Sequence, residues 1–559
     1  MNITSLILVC LFVSPLAAQA ADDSQGSDAG GPQILDGFLP SGSGPGTTGT
    51  NLPEIFKYQL PTNYDPLGPP IPIVVAYHGF GSSANSVSSW SMIDEEAELR
   101  GWAYMAPTGL DDKLFGSPIS QQHSEAAIGW MLEQFQIDPD RIYMVGFSMG
   151  GGVTANFASR RRDPGGIMIA AMGIVSSDLD WTQSWTLGDQ ALQGWLENSY
   201  NFEGTPAQKP FNYQQASALY FDETSYPPLP GSLVPSLSMA SNLQWVPTYL
   251  TYHVDSPPPV PGAMDALEAL LVSLGTPTQT TIQTYPGPPG PMTWDVLDEV
   301  ELFDFFDGKL ATRLPANFSA LQDLGGPVSW AATTQRSLGA FTRIEGDADP
   351  LSGSLTVTAV SNATDVVVDA GLAGLSGLWP LRVTASSADA DGFRLRLTGF
   401  DQAPSYLLDA TTGELVTLVD SDPATGSLSV DVGPGVTLSV DVVSDPNWTG
   451  SLVTSPNPAG LQSLVSVAID LAPSSPSGWL IIATDEALYP AKGVLLTALV
   501  TPPAIVVPLT LDGNGDAQFD TVIPNDAALL GLRLPTQAVG LDAAGLGESV
   551  TNLWGLRIE

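Results

Sequence analysis

The chain has 559 residues, with 59 Asp plus Glu against 18 Lys plus Arg, a formal net charge of −41, and 43% apolar residues. That length exceeds one ordinary core and predicts several domains, while the apolar content excludes a wholly disordered chain. Charge of this sign repels phosphate backbones and anionic lipid, so neither nucleic-acid binding nor membrane insertion is expected.

Residues 1–20 run apolar from Ile3 to Val13 and end in Ala18-Gln19-Ala20, a small-x-small pattern that reads as an export leader. The only cysteine, Cys10, lies in that leader. The mature chain then has no internal disulfide and no thiolate metal site, and three His leave little material for zinc. No metal and no cofactor are expected. A long exported chain without disulfides predicts a bacterial protein, secreted or held in the cell envelope. Residues 21–51, rich in Asp, Gly, Ser and Pro, read as a disordered linker.

From 52 to 312 apolar runs alternate with amphipathic segments. Ile71–Tyr77, Ile142–Val145, Ile167–Val175 and Thr248–Tyr252 are continuous apolar strands, the pattern of a mostly parallel sheet covered by helices on both faces. Ser124 and Glu125 open a predicted helix with Ile128, Met131, Leu132 and Phe135 on one side, and Asp138-Pro139-Asp140 stops it. The class is α/β. Residues 181–245, aromatic and without clear period, read as a lid-like insertion. Beyond 312 short alternating segments such as Leu355–Val360, Phe393–Leu397 and Leu428–Val432 predict two all-β, sandwich-like modules, 313–445 and 446–559.

The chemistry concentrates in Gly146-Phe147-Ser148-Met149-Gly150, a G-x-S-x-G motif set between the strand Ile142–Val145 and the small-residue start of a helix. Strand, tight turn and helix make a nucleophile elbow, where glycines are needed because side chains would clash. The helix N-terminus adds positive potential beneath the serine, and Arg160-Arg161-Arg162 complements the opposite pole. His78-Gly79-Phe80-Gly81 follows the strand 71–77 as an oxyanion loop would, which makes the backbone N–H groups of Phe80 and Met149 the candidate oxyanion donors.

With Tyr58–Tyr64, His78–Gly81, Ile137–Tyr143 and this elbow, residues 54–310 resemble a secreted α/β-hydrolase of the polyhydroxyalkanoate depolymerase and feruloyl esterase type. The resemblance implies an α/β-hydrolase domain ahead of the β modules, and a Ser-His-Asp triad. The triad's partner positions depart from the pattern. In His253-Val-Asp255-Ser-Pro257, Pro257 stands where the acid belongs, and Asp255 is the nearest substitute. In Gly290-Pro291-Met292-Thr293-Trp294, Pro291 stands where the base belongs, and no His follows His253. His123 and His253 are the replacement bases, with His123 preferred; Asp178 and Asp180 could orient such a base.

The sequence thus predicts a serine hydrolase acting on carboxylic esters through an acyl-enzyme on Ser148, with Asp255 and His123 as partners and a small-molecule or polymeric ester as substrate. The β modules would bind a surface or polymer. The alternative is a hydrolase-derived pseudoenzyme that keeps the pocket for binding, motivated by Pro257 and Pro291.

Overall fold

The computed structural model describes residues 33–41 and 52–443, apart from 114, 223–231, 258, 284–292, 378–379, 402–405, 413–415, 417 and 423–425, and beyond 443 chiefly the strands of a further sheet. The leader 1–20 with Cys10, most of the linker, and Pro291 lie outside the described residues.

The chain begins with two antiparallel strands, β1 (Leu35–Leu39) and β2 (Glu54–Gln59). Then come β3 (Ile71–Tyr77), α1 (Ala84–Trp90), α2 (Ile93–Arg100), β4 (Ala103–Pro107), α3 (Pro118–Gln134), β5 (Ile137–Phe147), α4 (Met149–Arg160) and β6 (Ala171–Val175). Three short helices, α5 (Trp181–Leu187), α6 (Gln190–Leu196) and α7 (Pro210–Ala216), precede β7 (Thr248–His253), α8 (Val260–Leu274), β8 (Thr278–Gln283) and α9 (Glu299–Phe306). The eight strands form one sheet in the order β1-β2-β4-β3-β5-β6-β7-β8, parallel from β4 to β8. This is the α/β-hydrolase fold.

Both faces of the sheet are covered, which explains the continuous apolar strands. In β3, Ile73 and Val75 join the core under α3, α4 and α8, while Val74 and Ala76 join the core under α1, α2 and α9. On the second face Trp102, Tyr143, Phe303 and Phe306 stack at centroid separations of 4.9–5.1 Å. Burying such rings against one another is among the larger favourable contributions to a core.

The structure corrects the expected boundaries in five places. Helix α3 ends at Gln134 and β5 starts at Ile137, so Asp138-Pro139-Asp140 lie in that strand instead of stopping the helix, and the strand begins before Ile142. Part of the linker is ordered: Leu39 is buried and Gly37 lies flat on Phe56, so β1 extends the sheet by one edge strand. Helix α3 starts at Pro118 rather than at Ser124, because Ser117 caps it and Pro118 takes the first helical position. His123 therefore lies inside a helix, not before one. The strand expected from Ile167 begins only at Ala171. The insertion 181–245 contains helices of seven residues each, too short to show a period; α5 and α6 are capped by Asp180 and Asp189.

Residues 317–443 form two six-stranded sheets around one core centred on Phe318, Trp330, Ile344, Val357, Val383, Leu395 and Val440. Alternating burial along Thr342–Asp349 in one sheet and Phe393–Thr398 in the other shows each sheet facing that core with one side. This module is fixed to the hydrolase domain. The Asn242 side chain donates to Ser159 O and Leu321 O and accepts from the Leu321 N–H, all while buried. Arg313 reaches Asp140 and the carbonyls of Pro139, Pro164 and Gly166. Beyond 443 the strands include an eight-stranded sheet. Among the described residues no helix is long and apolar enough to cross a membrane.

Candidate active site

Ser148 occupies the junction between β5 and α4 with φ 54° and ψ −123°. A non-glycine residue there is strained by about 1–3 kcal/mol, so surrounding structure must hold it. The holding contacts are visible. The Ser148 N–H donates to Val175 O at 2.9 Å, and Ser148 O accepts from Gly151 N–H at 3.0 Å and Ser177 Oγ at 2.7 Å. The glycines make the approach possible: a Cβ on Gly146 would lie 2.1 Å from Gly150 O, and one on Gly150 would lie 2.5 Å from both Tyr77 O and His78 O. The small residues legible in the motif are thus required by backbone-to-backbone packing between β5, α4 and the end of β3.

The loop after β3 closes over the serine. A Cβ on Gly79 would stand 3.5 Å from Ser148 Cβ, so this loop passes directly beside the nucleophile. His78 is buried, its ring nitrogens 2.9 Å from Gly79 O and 3.4 Å from Thr108 O, which assigns it to the support of the loop. The N–H groups of Phe80 and Met149 have no hydrogen-bond partner among the described residues. Both residues line the same cavity as Ser148, on the two segments from which an oxyanion site of this fold draws its donors.

A cavity of about 510 Å³ opens over these groups, lined by Phe80, Phe115, Ser148, Met149, Trp181 and Trp195 together with the polar side chains of Lys113, Asp178 and Ser184. The insertion forms one wall. Trp181 Nε1 donates to Ala216 O at 2.9 Å, and Phe115 packs edge-on against Trp181 and stacks on Phe80. Lys113 holds its ammonium 2.6 Å from both carboxylate oxygens of Asp112 and over the Trp195 ring. A larger cavity, about 800 Å³, lies beyond Phe147 between Trp90, Met92 and Trp294, and it contains neither Ser148 nor the oxyanion donors.

None of the residues expected to complete a triad lines the Ser148 cavity. His123 is fully buried in α3 with Nδ1 3.2 Å from Glu54, whose carboxylate also accepts the N–H groups of Thr108, Gly109 and Leu110. That cluster fastens the loop after β4 to β2, and His123 does not line the Ser148 cavity. His253 is buried at the end of β7, with Nδ1 accepting the Asp255 N–H at 3.0 Å; it does not line the cavity either. Asp255 is exposed, as is Pro257. The structure therefore brings together Ser148, Phe80 and Met149 but not His123 or Asp255. Of the two further acids, Asp180 caps α5 and accepts from Thr182, Gln183 and Phe221, whereas Asp178 lines the cavity. Burial pushes the Asp178 carboxyl up to about 6, with a hydrogen bond from Ser184 opposing. Lys113, Phe115 and Glu54 carried no motif in the sequence; their only signal was position at the strand ends where the loops gather.

Residues 121–229, from α3 to the insertion, match the prolyl oligopeptidase family. That stretch carries the elbow of the α/β-hydrolase fold. No curated protein matches the chain. Among solved structures, the acylaminoacyl peptidase of Pyrococcus horikoshii is 14% identical over 51% of this chain and 42% of its own, with a TM-score of 0.37. This chain thus spans less than half the length of that peptidase. The fluorophosphonate-binding serine hydrolase F of Staphylococcus aureus is 14% identical over 50% of this chain and 100% of its own, TM-score 0.36. An esterase of Pyrobaculum calidifontis is 16% identical over 45% and 75%, TM-score 0.30.

Proposed function

We propose that the chain is an exported carboxylic-ester hydrolase that works through an acyl-enzyme on Ser148. The observation that carries this reading is the backbone of Ser148, held at positive φ in one cavity with two N–H groups that have no partner among the described residues. Strain of this kind persists where the surroundings over-determine it, and an oxyanion forming on the bound ester would find both donors already oriented. The hydroxyl oxygen attacks the ester carbonyl, the carbonyl oxygen takes the negative charge beside Phe80 and Met149, and the alcohol departs. Water then releases the acid.

The cavity supports a substrate class. Its volume lies within the range of small-molecule sites, and its aromatic walls suit an aryl or medium-length acyl group. That favours a small ester or a single polymer end over a polymer bound along its length. The resemblance to polyhydroxyalkanoate depolymerases and feruloyl esterases is consistent with either. Export rests on the leader pattern of residues 1–20, and the β modules belong to the proposal as units that bind a surface or polymer.

A second reading, a binding protein descended from a hydrolase, is favoured by one observation: no His lines the cavity among its described residues. Hydrolysis of p-nitrophenyl acyl esters by the full chain, compared with Ser148→Ala, separates the two. The ester-hydrolase reading expects turnover that the substitution abolishes. Equal background rates in both proteins support the binding protein.

A further inference from the structure

The Ser148 cavity lacks an imidazole among its described residues, but it holds a carboxylate. Asp178 lies in the turn that leaves β6, two residues after Ser176, which has a φ of 45°. Ser177 ties this turn to the elbow, with Oγ 2.7 Å from Ser148 O and 2.9 Å from Asp178 O. From the other side, a Cβ on Gly152 would lie 2.6 Å from Asp178 O, so α4 also packs against the same peptide. The Asp178 backbone is thereby locked to the turn that carries the nucleophile. Its carboxylate accepts one hydrogen bond, from Ser184 Oγ at 3.2 Å, and has no other partner among the described residues. Asp180, two residues on, is committed to three backbone N–H groups as a helix cap. Asp178 combines a place in the cavity wall with unused acceptor capacity on a backbone tied to the elbow, whereas Asp189, the other cavity carboxylate, caps α6 on the insertion.

We propose that Asp178 is the proton acceptor for the Ser148 hydroxyl, so that a serine–aspartate pair replaces the usual imidazole; this rests on the ester-hydrolase reading above. In acylation the Oγ–H proton passes to the carboxylate as Oγ bonds to the carbonyl carbon. When the tetrahedral intermediate collapses, the carbon–alkoxy bond breaks and the Asp178 proton goes to the departing alcohol oxygen. In deacylation a water molecule gives its proton to Asp178 while its oxygen bonds to the acyl carbon. The proton then returns to Ser148 Oγ as the acid leaves. Atoms and charge balance with water as the sole co-reactant. Basicity is adequate: a carboxyl raised to about 6 approaches the imidazole value of about 6.5. The other charged groups of the cavity are Lys113, held by Asp112, and Asp189, the cap of α6.

Fluorophosphonate labelling of Ser148 in the full chain tests the assignment. Asp178→Asn is expected to slow labelling by about 10²–10⁴-fold, the usual contribution of a general base. Asp178→Ala should regain rate when formate is added, an effect that loss of a structural contact would not produce. The wild-type labelling rate should rise through about pH 6 and then level, a readout that survives if either variant fails to fold. Wild-type rates in Asp178→Asn, or a wild-type profile flat through pH 6, would overturn the assignment and leave the ester-hydrolase reading standing. A wild-type chain that takes no label at Ser148 would overturn both.

Discussion

Gly146 ends the apolar stretch of β5 directly beneath the first turn of α4. A Cβ there would stand 2.1 Å from Gly150 O, 2.3 Å from Gly150 C and 2.6 Å from Thr154 Oγ1. Two of these atoms are backbone, so no rotamer change relieves the clash. Ordinary contact distances are about 3.5 Å or more between carbons, so α4 has to retreat by roughly 1 Å in Gly146→Ala. Overpacking of this kind costs about 3 kcal/mol, the upper part of its usual range, which lowers the melting temperature of a domain this size by about 6–12 °C. The functional effect should be larger still. Ser148 and the Met149 N–H both ride on the displaced turn, and a 1 Å misplacement costs about 10²-fold in rate. Thermal unfolding and p-nitrophenyl ester hydrolysis measure the two effects. Gly129→Ala in α3, where a Cβ meets nothing within 4 Å, is the control and should gain about 0.5–1 kcal/mol. If Gly146→Ala unfolds and turns over like wild type, the packing account of the elbow is wrong.

Three other outcomes follow from the same contacts. Ser148→Gly removes the strain at φ 54° and should raise stability by about 1 kcal/mol, after the entropy cost of glycine, while abolishing turnover; calorimetry beside the ester assay reads both. Asn242→Ala orphans the buried Leu321 N–H and carbonyl and should cost about 3 kcal/mol, with the first β module and the hydrolase domain then unfolding in separate calorimetric transitions. The Asp178 carboxyl titrates at about 6 in the folded chain against an ordinary 3.8, so the folded state binds the proton more tightly than the unfolded chain does. Its ionisation therefore removes stability as pH rises from about 4 to 6, and the advantage of Asp178→Asn over wild type should grow across that window to at most about 3 kcal/mol and stay level above it.

The strands and the elbow were legible because their residues answer to one local demand each. Ile71–Tyr77 is apolar throughout because both faces of β3 are covered, and Gly146, Gly150 and Gly151 are small because backbone passes within contact distance of each. The start of α3 was equally local, in Ser117-Pro118, but apolar spacing drew the boundary to Ser124 instead. The insertion hid its helices because seven residues make only two turns. The partners of Ser148 depend on distant contacts and were not legible. Nothing near His123 in the sequence reveals that Glu54, 69 positions away, engages it, nor that Asp178 and not Asp180 borders the cavity.

The most direct measurement is peptide mapping by mass spectrometry after the folded full-length protein is treated with a fluorophosphonate. The account predicts a single adduct on Ser148, absent from Ser148→Ala. An unmodified Ser148 at every pH from about 6 to 9, spanning the range where a base with a pKa near 6 is ionised, would contradict it.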